Sequence, residues 1–258
     1  MDGLLMEADE LRRIAGKFKV PIGTLEKDYA VTTLLSLISR FPKVSAMVFK
    51  GGTAIKKVYF PEARFSEDLD FTCSSDVSKV LISMLRKEIE GGLDVQFTEV
   101  KSEYSRLKYG RRISVKYNDF NGHPNSIQVD LRLGEKVLKG AERREVMHFY
   151  KVLDKFQMPS MRLEEMMAEK IRATIYSAQP RHLYDTWFLF RKRVPLIRTV
   201  VTAKIKSYGE DFDIEKLKAS IKEMERTWLI DLQPLLPIVP SFQTVSKSVI
   251  TKVSKIMK

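Results

Sequence analysis

The sequence contains a single cysteine, Cys73, among its 258 residues. One thiol can form neither an internal disulfide framework nor a cysteine-based zinc site, so nothing in the composition requires an oxidising compartment. Long apolar runs are also lacking. No stretch approaches the roughly 20 apolar residues of a membrane span, and the first residues carry acids rather than the apolar run of a signal peptide. These absences predict a cytoplasmic protein without a membrane partner.

Acidic residues are scarce in the second part of the sequence. Residues 1–100 carry a net charge of −1 and residues 101–258 a net charge of +13. A positive field of this size attracts polyanions, of which nucleic acid is the commonest. The same excess also serves solubility when it lies on solvated helix faces, so charge alone leaves both explanations open.

The periodicity of the apolar residues changes near residue 160. Before that point, helical spacing over residues 3–40 is followed by short segments that alternate every second residue, which is typical of strands. The predicted strands are 44–49, 68–72, 93–100, 111–118 and 126–133, with a helix at 76–90. After that point, helices are predicted over 162–178, 182–192, 195–207, 213–227 and 241–257. The pattern predicts an α+β fold: a mixed or antiparallel sheet with helices over residues 1–160, followed by a helical domain over residues 161–258.

The segment richest in candidate functional residues is KGGTAIKKVYFPEARFSEDLDF, residues 50–71. A glycine pair follows a predicted strand there, and a helix is predicted to begin close behind it, near Thr53. Glycines allow backbone N–H groups to approach an anion, and a helix N-terminus adds donors, so Gly51, Gly52 and Thr53 can cradle a phosphate. Ser66 can add one more hydrogen bond. Taken alone, however, a glycine pair is also an ordinary turn.

Two aspartates close the same segment, on the predicted strand 68–72. Asp68 and Asp70 are two residues apart, and residues at this spacing on a strand share a face. Paired carboxylates can hold hard divalent cations, which prefer oxygen ligands. A lone D-x-D also occurs in calcium loops, sugar transferases and exposed strand edges. The hypothesis of a phosphate and metal site therefore rests on the order of four features: a strand, a glycine turn, a helix and an acidic strand.

Four motifs stand in order along residues 26–185. Residues 26–29 read E-K-D-Y, residues 50–54 with 64–71 read K-G-G-T-A and R-x-S-x-D-x-D-F, residues 164–173 contain E-K-x-x-A, and residues 180–185 read P-R-H-L-Y-D. Together they resemble the motifs of the AbiEii/AbiGii toxin family, which includes the MenT-type toxins and belongs to the DNA polymerase β-like nucleotidyltransferase superfamily. No such similarity is seen beyond residue 190. One departure is His182, which stands where the family has an acid.

The resemblance implies a nucleotidyltransferase-like mixed sheet and Mg²⁺-dependent nucleotidyl transfer from an NTP. Asp68 and Asp70 are then the expected Mg²⁺ ligands, with Asp130 of the alternating segment IQVDLRL as the third carboxylate. Such a triad holds two ions that activate a hydroxyl and neutralise the triphosphate. Asp130 as a plain surface residue of a strand is the alternative.

The resemblance also assigns roles to two residues of the helical domain. Lys170 is implied to bind the triphosphate, where a cation offsets the charge that develops on the leaving group; a solvated helix lysine is the alternative. Asp185 either orients Lys170, contacts the nucleotide, or is simply an acid at the start of a helix. The cations Arg191, Lys192, Arg193, Arg198, Lys204 and Lys206 either contact an acceptor RNA or belong to a solvated helix end.

The sequence therefore predicts an Mg²⁺-dependent nucleotidyltransferase, the toxin of a toxin–antitoxin (abortive-infection) pair, with a cognate antitoxin protein as partner. The resemblance and the basic second part indicate that it transfers NMP from an NTP to the 3′ end of tRNA, with release of pyrophosphate. Two alternatives stay open. One is the same chemistry on a protein or small-molecule hydroxyl, and the other is a basic RNA-binding module without catalysis.

Overall fold

The computed structural model describes residues 6–91, 97–103 and 110–257. These residues divide into two compact units. Unit 1 runs up to Val137 and includes Ala141–Met161, and unit 2 comprises Leu138–Gly140 and the chain from Arg162 onward. Within the same ranges, no helix combines the length and the apolar character needed to cross a membrane.

Two helices open unit 1, α1 (Ala8–Phe18) and α2 (Ile22–Ser39). They are separated by Lys19, whose backbone is left-handed (φ 53°), and by Pro21, which precedes α2 in an extended conformation. Helix α1 buries a single stripe, whereas α2 is buried on almost every side between Thr24 and Ile38. A helix that is buried all round lies inside a fold, so α2 forms part of the core of unit 1.

Within the described residues, seven strands form one mixed sheet in the order β3-β4-β5-β2-β1-β7-β6. Strand β2 pairs antiparallel with β1 and parallel with β5, and β1 pairs parallel with β7. The strands are β1 (Met47–Lys50), β2 (Leu69–Cys73), β3 (Phe97–Glu103), β4 (Gly110–Asn118), β5 (Pro124–Leu133), β6 (Ala141–Glu145) and β7 (Gln157–Met161). The predicted fold class, a mixed sheet with helices, is confirmed.

Helices connect these strands. Helix α3 (Gly51–Ala54) begins directly at the glycine pair and continues as a π-helical turn over Ile55–Tyr59, and α4 (Ser78–Glu90) follows β2. Alternation along β2 sends Leu69 and Phe71 into the core, where Phe71 packs against Phe49 with ring centroids 5.3 Å apart. Asp70 lies between these two buried residues and therefore faces the other side of the sheet.

Three segments of unit 1 differ from the sequence pattern. Residues Val44–Ala46 form a 3-10 turn and only Met47–Lys50 is strand, while β6 and β7 were not predicted at all. Strand β6 (AERRE) is an edge strand without an apolar face, and β7 (QMPSM) contains a proline, so neither shows a strand pattern. Part of the predicted strand 93–100 is seen as the start of β3, and residues 93–96 lie outside the described residues.

Unit 2 is helical. Its helices are α5 (Leu163–Tyr176), α6 (Pro180–Arg191), α7 (Arg198–Lys206), α8 (Ile214–Met224), α9 (Trp228–Leu232) and α10 (Phe242–Met257). Helix α5 packs against α6, α7 and α8. Asp213 caps α8 by accepting hydrogen bonds from the backbone N–H groups of Glu215 and Lys216. The short α9 was not predicted as a separate helix.

Candidate active site

A row of four charged residues crosses the sheet of unit 1. In the strand register Lys50 lies opposite Asp70, Asp70 opposite Asp130, and Asp130 opposite Arg112. Directly paired residues of neighbouring strands place their side chains on one face, so the two acids are neighbours with a cation on each outer side. We call these four residues the charged row. The parallel pairing of β2 with β5 is what brings Asp130 beside Asp70.

Asp68 lies immediately before β2 and two residues before Asp70. Its backbone carbonyl accepts a hydrogen bond from the Thr53 hydroxyl, with 2.5 Å between the oxygens. Thr53 is buried, so its side chain ties α3 to the acidic strand. The predicted phosphate-binding residue and the predicted metal ligand are thereby held next to each other.

The glycine pair packs closely against the acids. Gly51 has a φ of +83°, and a Cβ placed there would lie 2.2 Å from Asp70 Oδ2. A Cβ at Gly52 would lie 2.8 Å from Arg64 Nη2 and 3.0 Å from Ser66 Oγ. The turn therefore admits no side chain: Asp70 closes over the first glycine, and Arg64 and Ser66 lie against the second.

Arg64 was not assigned to the site from the sequence. Its side chain is buried, and Nη1 donates a hydrogen bond to the carbonyl oxygen of Phe65 at 2.9 Å. A buried guanidinium beside a glycine turn is a positive charge at the predicted phosphate position. Its position in the R-x-S-x-D-x-D motif is the feature of the sequence that could have identified it as a site residue.

Two further polar residues next to the acids were also missed. Glu135 accepts a hydrogen bond from Lys50 Nζ at 2.5 Å and another from Thr72 Oγ1 at 3.0 Å, and so holds one end of the charged row. Lys27 donates to Asn125 Oδ1 and to the carbonyl oxygen of Ser126. Burial lowers the pKa of Lys27, and the charges of two nearby acids, Glu67 and Asp68, oppose that shift.

Asp130 is bound by Arg112 through both of its carboxylate oxygens. Arg112 Nε donates to Oδ1 at 2.7 Å and Nη2 donates to Oδ2 at 2.6 Å. Among the residues that the structure describes, no three His, Cys, Asp or Glu side chains are grouped as a metal site. The donor set nevertheless fits Mg²⁺ in chemistry: all three predicted ligands are carboxylates, and the turn at Gly51 leaves Asp70 the space that a Cβ would fill.

In unit 2, Lys170 of α5 and Asp185 of α6 form a buried ion pair. Lys170 Nζ lies 2.7 Å from Asp185 Oδ2, and the two side chains are 9% and 4% exposed. The alternative of a solvated helix lysine is therefore wrong. Asp185 is also no first-turn acid, since α6 begins at Pro180. The geometry is the one in which Asp185 orients the Lys170 amine, and the part these residues play in catalysis stays a prediction.

A family model described as "Nucleotidyl transferase AbiEii toxin, Type IV TA system" matches residues 33–248. The chain belongs to the AbiEii nucleotidyltransferase toxin family. The match covers both units and extends well past residue 190, where the motifs that are visible by eye end. The resemblance suggested by the four motifs is confirmed, and with it the coarse function of a toxin nucleotidyltransferase.

Two solved structures share the fold of this AbiEii-family chain. One is MenT4, a nucleotidyltransferase toxin of Mycobacterium tuberculosis H37Rv, with a TM-score of 0.71 and 19% identity over 98% of this chain and 90% of that one. The other is JHP933 from Helicobacter pylori, with a TM-score of 0.55 and 17% identity over 92% of this chain and 93% of that one. No curated protein matches the chain.

One of the cations predicted to contact RNA lies in the interior of unit 2. Lys204 is 1% exposed, and its Nζ lies 2.7 Å from Glu165 Oε1 and 3.0 Å from Glu169 Oε1. Glu165 also accepts hydrogen bonds from the backbone N–H groups of Leu138 and Lys139, each at 2.8 Å. Lys204 is therefore a structural cation, and the expectation that it contacts RNA is wrong.

The other cations of that group lie on the surface. Arg191, Lys192, Arg193, Arg198 and Lys206 are all exposed. The Arg191 guanidinium lies 5.1 Å from the centre of the Trp187 ring, and Lys192 Nζ lies 5.5 Å from that of Phe188. Aromatic rings beneath these two cations hold them against the helix, so they are ordered positive charges on the surface of unit 2.

The predicted site residues thus fall into two groups. Unit 1 contains the carboxylates of Asp68, Asp70 and Asp130 together with the residues predicted to bind phosphate, Gly51, Gly52, Thr53 and Ser66. Unit 2 contains the Lys170–Asp185 pair. Each group is assembled by its own unit.

Proposed function

We propose that this AbiEii-family toxin transfers NMP from an NTP to the 3′ end of tRNA in an Mg²⁺-dependent reaction that releases pyrophosphate. One observation carries the proposal: two register-paired aspartates, Asp70 and Asp130, lie on neighbouring strands beside a glycine turn that Asp70 itself closes. The family supplies the reaction class, and the acidic pair beside the glycine turn supports the proposed chemistry. The setting we propose is the cytoplasm, with a cognate antitoxin protein as partner.

The carboxylates of Asp68, Asp70 and Asp130 are the proposed ligands for Mg²⁺. When bound there, the ion supplies charge neutralisation at the triphosphate and a lowered pKa for the attacking hydroxyl. The chain contributes the geometry, because the parallel register fixes Asp70 against Asp130 and the Thr53 hydroxyl fixes the backbone of Asp68.

The residues around the glycine turn are the proposed phosphate binders. The backbone of Gly51, Gly52 and Thr53 forms the turn and the start of α3, and the guanidinium of Arg64 and the hydroxyl of Ser66 lie against Gly52. Lys170 is the further cation proposed for the triphosphate, with its amine fixed by Asp185. Such fixed donors stabilise charge without having to reorganise during the reaction.

In the proposed reaction the 3′ oxygen of the acceptor forms a bond to the α-phosphorus of the NTP. The bond from that phosphorus to the bridging oxygen of the β-phosphate breaks, and pyrophosphate leaves with both electrons of that bond. The hydroxyl proton passes to solvent. An added nucleotide at the CCA end would block aminoacylation, which accounts for a toxic effect.

The acceptor is proposed on electrostatic grounds. Residues 101–258 carry a net charge of +13, and the exposed cations at the end of α6 and on α7 belong to this excess. Phosphate contacts of this kind position a nucleic acid without reading its sequence. The base that is transferred and the tRNA species are therefore left to the experiment.

The test is incubation of the protein with total RNA and each α-labelled NTP in turn, with and without Mg²⁺. We expect label at the 3′ end of tRNA only when Mg²⁺ is present. The matched control is Asp70→Asn, which keeps the shape of the side chain and removes its charge; it should yield no label.

Three other results would contradict the proposal. Label on protein or on a small molecule would favour those acceptors in its place. Label on RNA in a metal-free, EDTA-treated reaction would exclude the role given to the carboxylates. Growth inhibition that is equally strong in the parent and in Asp70→Asn would favour an RNA-binding module without catalysis.

A further inference from the structure

The two ends of the charged row are held in different ways. At one end, the Lys50 amine bonds Glu135, which lies outside the row. At the other end, the Arg112 guanidinium bonds Asp130, a predicted metal ligand, through both carboxylate oxygens at 2.7 and 2.6 Å. A protein cation thus binds Asp130 directly.

The geometry of this contact matters for any cation that binds there. A guanidinium fork matches a carboxylate in two parallel hydrogen bonds, which are stronger than neutral ones and fix the plane of the carboxylate. A divalent ion uses the same oxygen lone pairs. Arg112 and a metal ion therefore compete for Asp130.

The burial of the two partners indicates which of them moves. The Asp130 side chain is 14% exposed, whereas that of Arg112 is 41% exposed. A half-exposed arginine can swing into water, where its charge is hydrated, while Asp130 is held in the middle of the sheet between β4 and β2. Exchange of the partner therefore requires movement of Arg112 and leaves the sheet as it is.

We propose that Arg112 is a positioning residue that holds Asp130 in the metal-free protein and competes with the divalent ion for it. The contact then sets the metal affinity of the site: Asp130 is kept in place without metal, and the ion binds only by displacing the guanidinium. This inference rests on the proposed function, since it takes Asp130 as a metal ligand.

The experiment measures metal binding directly, by titrating the protein with Mn²⁺ and following free Mn²⁺ by electron paramagnetic resonance without NTP or RNA. Arg112→Gln removes the competing guanidinium and should tighten Mn²⁺ binding about tenfold, which corresponds to the loss of one charge-assisted contact. Arg112→Lys keeps the charge but loses the fork, and a smaller gain is expected.

Arg111 provides the matched control. It is the neighbouring residue on β4, it carries the same charge, and its Nε donates to Asp76 at 3.1 Å, away from the row. Arg111→Gln should bind Mn²⁺ within about twofold of the parent, because loss of a surface charge alone has a small effect. In an Asp130→Asn background, Arg112→Gln should lose its advantage, because residue 130 is then a neutral amide with a single oxygen.

Arg112→Gln that binds Mn²⁺ no more tightly than the parent, or equally strong tightening in Arg111→Gln, would overturn the inference. The inference would also be overturned if neither the parent nor Arg112→Gln bound Mn²⁺ although the parent transferred nucleotides. The proposed function would not be contradicted by that result. Conversely, if Arg112→Gln bound Mn²⁺ more tightly than the parent but no nucleotide were transferred to RNA, the inference would stand and the proposed acceptor would be refuted. Circular dichroism spectra that match the parent show that each variant is folded.

Discussion

Two acids of unit 1 and two acids of unit 2 are held in opposite ways. In unit 1, Asp70 and Asp130 are half-buried on neighbouring strands, and the contact that Asp130 makes is with an exposed arginine. In unit 2, the side chains of Glu165 and Asp185 are 0% and 4% exposed, and each pairs with a lysine that is itself buried. The first arrangement leaves the partner free to move, and the second fixes both members.

The difference concerns how easily an acid can exchange its cationic partner. A buried pair has lost its water, so removal of one member leaves an uncompensated charge and costs several kcal/mol. A half-buried carboxylate keeps access to solvent and can exchange one cationic partner for another at little cost. We therefore expect substitution of Asp70 in unit 1 to affect activity, and substitution of Lys204 in unit 2 to affect stability.

The largest effect is expected from Asp70→Asn. Loss of the charge at the centre of the row should reduce nucleotidyl transfer roughly 10³-fold, because the proposed metal loses a ligand. The midpoint of urea unfolding should stay near that of the parent, since the amide occupies the same half-exposed space. Transfer rates and urea curves measured on one preparation provide the check; a parent-like rate would remove Asp70 from the site.

Next in size is Lys204→Met in unit 2. It leaves the buried Glu165 and the half-buried Glu169 without this cation, so the free energy of unfolding should fall by about 3–5 kcal/mol. The matched control is Lys206→Met on the exposed side of the same helix, which should change it by less than about 0.5 kcal/mol. Equal urea midpoints for the two variants would contradict the distinction between fixed and exchangeable charges.

A smaller effect is expected from Gly51→Ala. Its Cβ would lie 2.2 Å from Asp70 Oδ2 at a φ of +83°, so Asp70 must shift and transfer should fall roughly 10- to 100-fold. Gly122→Ala is the control for backbone strain without displacement of Asp70. Gly122 has a φ of +82°, and nothing lies within 4 Å of the added Cβ. Both variants should lose about 1 kcal/mol of stability or more. If both variants also lost transfer activity alike, displacement of Asp70 would not be the cause.

The last prediction concerns a buried lysine whose hydrogen bonds go to backbone carbonyls. Lys56 donates to the carbonyl oxygens of Pro61 and Ala63, and burial lowers its pKa from 10.5 to about 8. Between these two values the unfolded chain binds more protons than the folded one, so the free energy of unfolding should rise as the pH rises from about 8 to 10.5. Below pH 8 the penalty for burying the charge is constant.

Lys56→Met lacks this titrating group, so the difference in unfolding free energy between parent and variant should grow in favour of the parent across that window. Urea unfolding at several pH values from 7 to 10.5 measures it. Parallel curves for the two proteins would show that Lys56 does not titrate there. The result bears on the comparison above because Lys56 is a buried lysine held by backbone carbonyls, whereas Lys204 is a buried lysine held by two carboxylates.

Much of the fold followed from local pattern. Strands β4 and β5 and most helices were predicted within a few residues, because alternation and helical spacing are properties of neighbouring residues. Strands β6 and β7 were not predicted, because β6 is an edge strand that needs no apolar face and β7 contains a proline. Of the site, the glycine turn and the Asp68–Asp70 pair were visible as one continuous motif, whereas Arg64, Glu135 and Arg112 were not singled out.

By itself, the sequence determined most of the elements, the family motifs and the side of β2 on which Asp70 lies, since all of these depend on residues close together in the chain. The tertiary structure alone decided that Asp70 meets Asp130, that Arg112 holds Asp130, and that Lys204 is an interior cation rather than a surface one. The physical reason is that register and burial are set by the packing of segments far apart in the chain. Asp70 and Asp130 are joined by strand pairing across the intervening helix and two strands, and periodicity within either strand carries no information about that pairing.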